Sequence, residues 1–334
     1  MRIALDAMGG DYAPEEIVKG ALAALNLNKD LRIVLVGKED IIKKCLAEHG
    51  KEGRISICHC EEVIAMDEHP AIAYRKKKDA SISVATRLVK EQKADAVVSA
   101  GSTGAQMVAA LFGLGRIPGI DRPAIGTVIP TLAGPKLLLD AGANADCKPD
   151  HLVQFALMGS IYAEKILGYT RPCVGLVNIG EEPSKGNELT LQAYDLLSKV
   201  TELNFIGNIE GRDIPAGKAD VMVCDGFVGN TILKVIEGTA GAIFSLLKQE
   251  LSKNLTSKMG AALLAPGLRT LKSRLDYAEY GGAPLLGVKG ISIICHGSSK
   301  APAIKNAIRV AMECVQNNIV ETLKTTVKTE KVGE

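Results

Sequence analysis

Tryptophan is absent from this 334-residue chain, and aromatics make up only 4% of it. Single-stranded nucleic acid is bound on aromatic stacking platforms, so that class is excluded. Charge of neither sign is in excess: 40 Lys and Arg face 38 Asp and Glu, a net of +2. No global field recruits a polyanion, and no nucleic-acid partner is expected. The eight cysteines form no CxxC pair. Cys173, Cys224 and Cys295 sit inside apolar runs, where a thiol acts as a small hydrophobe. Cys58-His59-Cys60 lies in ISICHC, where strand alternation sends the thiols to one face and the imidazole to the other, so no metal site is expected. There is no GxSxG elbow, no HExxH, no Walker A loop and no dinucleotide fingerprint. Met1 leads straight into RIALDA without a secretory leader, and no run of 18 apolar residues is present. The expectation is a cytoplasmic protein with no membrane-crossing helix.

What is there is one design repeated. An apolar strand enters a turn of Gly, Ser, Asn or Asp, and a helix follows, as in ADAVVSAGSTGA, KLLLDAGAN and ADVMVCDGFVGN. Strands are expected at Arg2–Ala7, Arg32–Gly37, Ile55–Cys60, Ala96–Ala100, Ala124–Pro130, Leu137–Ala141, Val174–Ile179, Asn204–Gly207, Val221–Cys224 and Ile291–Cys295. Helices are expected at Pro14–Leu25, Ile41–His49, Ser81–Lys93, Pro149–Leu167, Asn187–Val200, Asn230–Leu255 and Pro302–Thr326, with a frayed tail. Alternating strands and helices imply an α/β fold: a doubly wound, mostly parallel sheet with helices on both faces. The hydrophobic fraction, 47% and largely aliphatic, suits strands buried on both sides. Residues 1–334 read as one catalytic unit with room for a dividing cleft.

The span 240–280 breaks the pattern with a projecting helical hairpin. Its turn is expected at Gly260–Gly267, with Leu263 and Leu264 exposed. Ser257–Leu275 carries Lys258, Arg269, Lys272 and Arg274 without an acid, and Leu268, Leu271 and Leu275 share a stripe. An apolar, basic tip suits anionic lipid, and suits an oligomer contact or a core helix with a solvated face equally well.

Strand-to-helix turns gather where α/β sheets bind ligands, and helix starts rich in glycine favour anions. Gly9 and Gly10, between Asp6 and Asp11, allow either a tight turn or a close ligand. Gly101, Ser102, Thr103 and Gly104 have the composition of a phosphate cradle, and also of a simple helix cap. Lys185 stands in a polar loop with Asn178, Asn187 and Glu188, where its amine is free to meet an anion. Asp140, Asn144, Asp225 and Asn230 close other strand ends, giving an amide-rich ring around one sheet edge. His296 is a donor for a phosphate or oxyanion, or a structural histidine. Arg75, Lys76, Lys77 and Lys78 stand just before a helix and suit an acidic partner or a solvated face.

In this order, DAMGGD, YRKKKDAS, SAGSTGA, GIDRPA, LLDAGAN, VNIG, KGNEL, DGFVGN, YGGAPLLG and HGSS closely resemble the bacterial phosphate acyltransferase (PlsX) family, from Met1 to about Val315. The resemblance implies transfer of a long-chain acyl group from acyl carrier protein to inorganic phosphate, for phospholipid synthesis. It implies a fold similar to phosphotransacetylases and to the isocitrate/isopropylmalate dehydrogenases, a homodimer, no cofactor and no metal. The product would pass to a glycerol-3-phosphate acyltransferase at the membrane, with the protein bound peripherally to its inner face. Lys185 and Asn230 would then act at the reacting centre. Asp6, Gly9, Gly10, Gly101–Gly104, Asn144, Asn178, Asn187, Asp225 and His296 would bind phosphate or the donor. Arg75–Lys78 would dock the carrier, and Leu263, Leu264 and Leu268 would touch lipid. The rivals are a coenzyme A-dependent phosphotransacetylase, a non-catalytic acyl- or phosphate-sensing scaffold, and, at fold level, an NAD-dependent dehydrogenase.

Overall fold

The apolar runs become strands because helices cover both of their faces. In the computed structural model, which describes residues 1–50, 52–275 and 280–330, the strands are β1 (Arg2–Asp6), β2 (Arg32–Gly37), β3 (Ile55–His59), β4 (Ala96–Ser99), β5 (Ala124–Thr131), β6 (Gly134–Leu139), β7 (Cys173–Asn178), β8 (Asn204–Glu210), β9 (Val221–Val223), β10 (Ala283–Leu286) and β11 (Ile291–Ile294). They form one sheet, in the order β3-β2-β1-β4-β11-β10-β5-β6-β9-β7-β8.

The helices are α1 (Glu15–Ala24), α2 (Glu39–His49), α3 (Pro70–Lys76), α4 (Ser81–Lys90), α5 (Thr103–Ala109), α6 (Pro149–Lys165), α7 (Glu188–Leu197), α8 (Asp213–Ala216), α9 (Gly226–Leu251), α10 (Leu255–Leu275), α11 (Ala301–Gln316) and α12 (Ile319–Glu330). Ile3 and Leu5 of β1 point into the core shared with α1 and α11, whereas Ala4 points to the core shared with α4 and α5. This strict alternation makes each strand a wall between two helix layers. On the second half of the sheet, Leu138 and Met222 pack against Ile232 and Ile236 of α9.

The sheet is mostly parallel, but it is not one continuous doubly wound sheet. β3, β2, β1, β4 and β11 form one parallel block, and β6, β9, β7 and β8 form another. Between them β10 runs antiparallel to β11 and β5, and β5 runs antiparallel to β6. The two blocks therefore run in opposite directions, and the turns at their strand ends form two groups. The expected ring around a single edge is corrected to this pair.

Four local expectations also change. The hairpin is there, but Gly260–Gly267 lies inside α10, with Pro266 in the helix. The chain reverses instead at Ser252–Asn254, where the Asn254 Oδ1 accepts the Ser257 N–H at 2.8 Å and caps α10. α9 is 26 residues long and, by length and composition, apolar enough to cross a bilayer; this corrects the expectation that no such segment exists. The last helix is two, α11 and α12, and α12 is helical to Glu330. Residues 331–334 and the side chains of Arg269, Lys272, Arg274 and Leu275 lie outside the described residues.

Candidate active site

The first group of turns follows β1, β4 and β11, which are neighbours. Their backbones touch: the Asp11 N–H donates to the Gly297 carbonyl at 2.8 Å. A Cβ on Gly9 would lie 2.7 Å from the Gly101 nitrogen, and Gly10 has φ +106°, so both glycines serve loop-on-loop packing. Asp6 is buried and turned inward. Its Oδ2 accepts the Ser99 hydroxyl at 2.7 Å and its Oδ1 accepts the Met8 N–H at 3.1 Å. Burial pushes its carboxyl up from 3.8, against the pull of those donors. The Gly101 N–H is taken by the Ser99 Oγ at 3.0 Å. Ser102 caps α5 through its Oγ, and a Cβ on Gly104 would meet Pro70 of α3 at 2.6 Å. Asp6, Gly9, Gly10, Gly101 and Gly104 are thus framework, while Thr103 reaches the open side.

The second group follows β6, β9 and β7, again neighbours, with Leu139, Val223 and Leu176 in register. Asp140 is the hub. Its Oδ1 accepts the N–H groups of Ile125, Gly142 and Ala143 at 3.0, 3.2 and 3.0 Å. Its Oδ2 accepts the Asn144 N–H and Nδ2 at 2.7 and 2.9 Å. Burial raises this carboxyl as well, although five donors hold it. Asn144 passes the constraint on: its carbonyl accepts the Gly226 N–H at 2.7 Å, which seats the start of α9. A Cβ on Gly229 would overlap the Asp140 carbonyl oxygen, so only glycine lets α9 sit this close. Asp225 caps α9 by accepting the Val228 N–H at 2.8 Å, and Asn187 caps α7 by accepting the Thr190 N–H at 2.9 Å. Asn144, Asn187 and Asp225, expected to meet the ligand, each use a side-chain atom to fix the chain: the Asn144 amide nitrogen, the Asn187 Oδ1 and the Asp225 Oδ1.

Two of the expected site side chains in this group make no bond to the chain. Lys185 and Asn230 are exposed, and neither has a hydrogen-bond or ion-pair partner among the described residues. Asn178 holds the Lys185 loop in place, its Nδ2 donating to the Lys185 carbonyl at 3.0 Å. Asn230 lies one turn into α9 and faces a cavity of about 640 Å³ that opens between the two groups of turns. Thr103, His296 and Ser299 face the same cavity from the first group. His296 Nδ1 lies 2.7 Å from the Ser298 hydroxyl and accepts the Ser298 N–H at 3.2 Å, which holds the ring at the cavity wall.

Residues 1–322 match the family model for fatty acid synthesis proteins. The phosphate acyltransferase of Desulfitobacterium hafniense strain Y51 is 62% identical over 325 residues, 97% of this chain and 96% of the relative. The chain belongs to the phosphate acyltransferase family. Among solved structures, a phosphotransacetylase from Streptococcus pyogenes aligns at TM-score 0.64 and 18% identity, covering 95% of this chain and 94% of that one. The 4-hydroxythreonine-4-phosphate dehydrogenase of Klebsiella pneumoniae aligns at 0.53 and 12%, covering 95% and 98%. At these identities the likeness is one of fold.

In this acyltransferase the basic run stands just before α4, as expected, and also closes α3. Arg75 and Lys76 end α3, and Lys77 bonds the Glu68 carboxylate at 2.6 Å and the Val63 carbonyl at 2.7 Å. Arg75, Lys76 and Lys78 remain exposed, Lys78 over the Tyr74 ring at 5.2 Å. Leu263 is 84% exposed and Leu264 59%, while Leu268 is partly covered. Sequence reasoning missed Asp140 as a hub and α9 as a cavity wall. The second had a signal: Asn230, Leu233, Glu237, Gly241 and Phe244 recur at helical spacing.

Proposed function

We propose that this enzyme transfers a long-chain acyl group from acyl carrier protein to inorganic phosphate, giving an acyl phosphate for phospholipid synthesis. The observation that carries it is the pair of uncommitted side chains, Lys185 and Asn230, on segments that follow the neighbouring strands β7 and β9, with Asn230 facing an apolar cavity. Phosphate is its own nucleophile, so the protein needs to supply none. A phosphate oxygen attacks the thioester carbon, the carbonyl electron pair moves to oxygen, and the tetrahedral centre collapses with loss of the carrier's thiolate. A thiol of reference pKa ~8.5 leaves without a strong acid. Lys185 holds the phosphate by charge, and Asn230 donates an N–H to the developing oxyanion.

The surroundings support the partners. Arg75, Lys76 and Lys78 give an acidic carrier a docking face. The exposed apolar side of α9, with Val235, Ile243 and Leu246, supports a homodimer. Leu263 and Leu264 support peripheral attachment to the inner membrane face, where a glycerol-3-phosphate acyltransferase would take the product. Two parallel blocks joined by antiparallel strands support the finer likeness to the isocitrate/isopropylmalate dehydrogenases.

The test is thiol release from palmitoyl-acyl carrier protein with and without phosphate. Phosphate-dependent release is expected, and Lys185→Ala and Asn230→Ala should each lower kcat/KM by ~10²–10³. Losses within about threefold for both would remove these residues from the reacting centre. Release only from coenzyme A thioesters would move the enzyme to the phosphotransacetylase reaction.

A further inference from the structure

The cavity is much longer than a reacting carboxyl group needs. Asn230, Leu233, Glu237, Ala240, Gly241 and Phe244 share one face of α9, and all line it. Facing them is β5, from Ile125 to Pro130. The one charge pair along this wall is internally matched: Lys234 Nζ lies 2.9 Å from the Glu237 carboxylate. The slot beyond Asn230 is thus apolar and without net charge, a setting for an aliphatic chain rather than for pantetheine.

We propose that this face of α9 is a ruler for the acyl chain, which lies along the helix from Asn230 and ends at Phe244. The inference rests on the acyl-transfer reaction above and specifies its substrate. From Asn230 to Phe244 the helix rises about 21 Å, at 1.5 Å per residue. An extended chain advances roughly 1.2 Å per bond, since three backbone bonds span about 3.6 Å. The slot therefore takes ~17 bonds, an acyl group of about 16 to 18 carbons. Gly241 stands about 16 Å from Asn230, some 14 carbons along. A Cβ added there meets nothing within 4 Å, so a larger side chain enters the slot without displacing a neighbour.

The experiment is displacement of a fluorescent fatty acid from the full-length protein by saturated fatty acids of about 10 to 18 carbons. A seated methylene is worth about fourfold in affinity, so binding should tighten with length and level off near 16–18 carbons. In Gly241→Leu the levelling should come about four carbons earlier, with stearate losing at least tenfold relative to laurate. In Phe244→Ala it should move beyond 18. The same levelling length in all three proteins would overturn the ruler. Turnover with palmitoyl-acyl carrier protein and phosphate is measured in parallel. Failure of the unaltered protein there would overturn the reaction, while the binding series still decides the ruler.

Discussion

Asp140→Asn is the substitution that most directly tests how the site is built. It keeps the size of the side chain and opens no cavity. Oδ1 can go on accepting from Ile125, Gly142 and Ala143. The new amide nitrogen takes the place of Oδ2, where it faces two donors of Asn144 at 2.7 and 2.9 Å. Two charge-assisted bonds are lost, at about 1.5–3 kcal/mol each, and donor then opposes donor. Removing a buried charge offsets part of this, so a net loss of about 3 kcal/mol is expected. With an unfolding entropy of ~2.1 cal/mol/K per residue, that lowers Tm by about 4 °C. Activity should fall further than stability. Asn144 seats Gly226, Gly226 begins α9, and α9 carries Asn230. A shift at that join displaces the oxyanion donor, and kcat/KM should drop at least tenfold at a temperature where circular dichroism shows a native fold. A Tm within about 1 °C of the parent, together with kcat/KM within about threefold, would mean that Asp140 does not hold the loop, and the framework account would fail.

The buried pair on the far side of the second block predicts a pH dependence. Lys136 Nζ lies 2.6 Å from Asp220, with side chains only 7% and 15% exposed. Burial works to raise the Asp220 carboxyl, and Lys136 and the Cys173 N–H overcome it, leaving it below 3.8. Burial likewise pulls the Lys136 ammonium down, and Asp220 carries it above 10.5. Lys136→Met should cost about 3–5 kcal/mol near neutral pH. The depressed carboxyl contributes fully above 3.8 and loses its contribution as pH falls through its folded value, so the gap between parent and variant should narrow in acid. A gap by urea unfolding that stays constant from about pH 7 to about pH 3 would contradict this. Reversing Arg75, Lys76 and Lys78 to Glu should raise KM for the carrier-bound donor several-fold at low salt and much less at about 0.5 M salt, with coenzyme A thioesters indifferent. An equal effect at both salt levels would point away from docking. Leu263→Glu with Leu264→Glu should reduce co-sedimentation with anionic vesicles by more than tenfold, since each seated leucine contributes about 1.5–3 kcal/mol; unchanged pelleting would place the lipid contact elsewhere.

The elements that the sequence announces clearly are those whose pattern is enforced along their own length. The apolar runs of β1, β2, β4, β7 and β11 need no partner to be recognised, because both faces are buried wherever they pair. β10 escapes because APLL is four residues long and lies among glycines and a proline. Its strand character comes from the neighbours that claim it on both sides. The sequence points to a hairpin turn at Gly260–Gly267 because Pro266 and Gly267 are the strongest local breakers there. Yet Asn254, a helix cap with Ser252 and Lys253 before it, was equally visible, and the capped helix runs through the proline.

The site divides along the same line. Asp, Asn and Gly at strand ends mark where chemistry gathers, but composition cannot separate a side chain that meets substrate from one that meets the next loop. Asn144 and Asn230 are the same residue type in similar turns. Asn144 is buried in hydrogen bonds to Pro123 and Asp140, and Asn230 has none. The difference arises from register: Leu139 lies beside Val223, so the DAGAN turn and the start of α9 compete for one space. Gly226 and Gly229 resolve that competition by giving up side chains, and the Asn144 carbonyl is taken by the Gly226 N–H while its amide nitrogen is taken by Pro123 and Asp140. One turn further along α9 the helix has risen clear of the loop, and Asn230 is the first polar side chain on that face left to face the cavity.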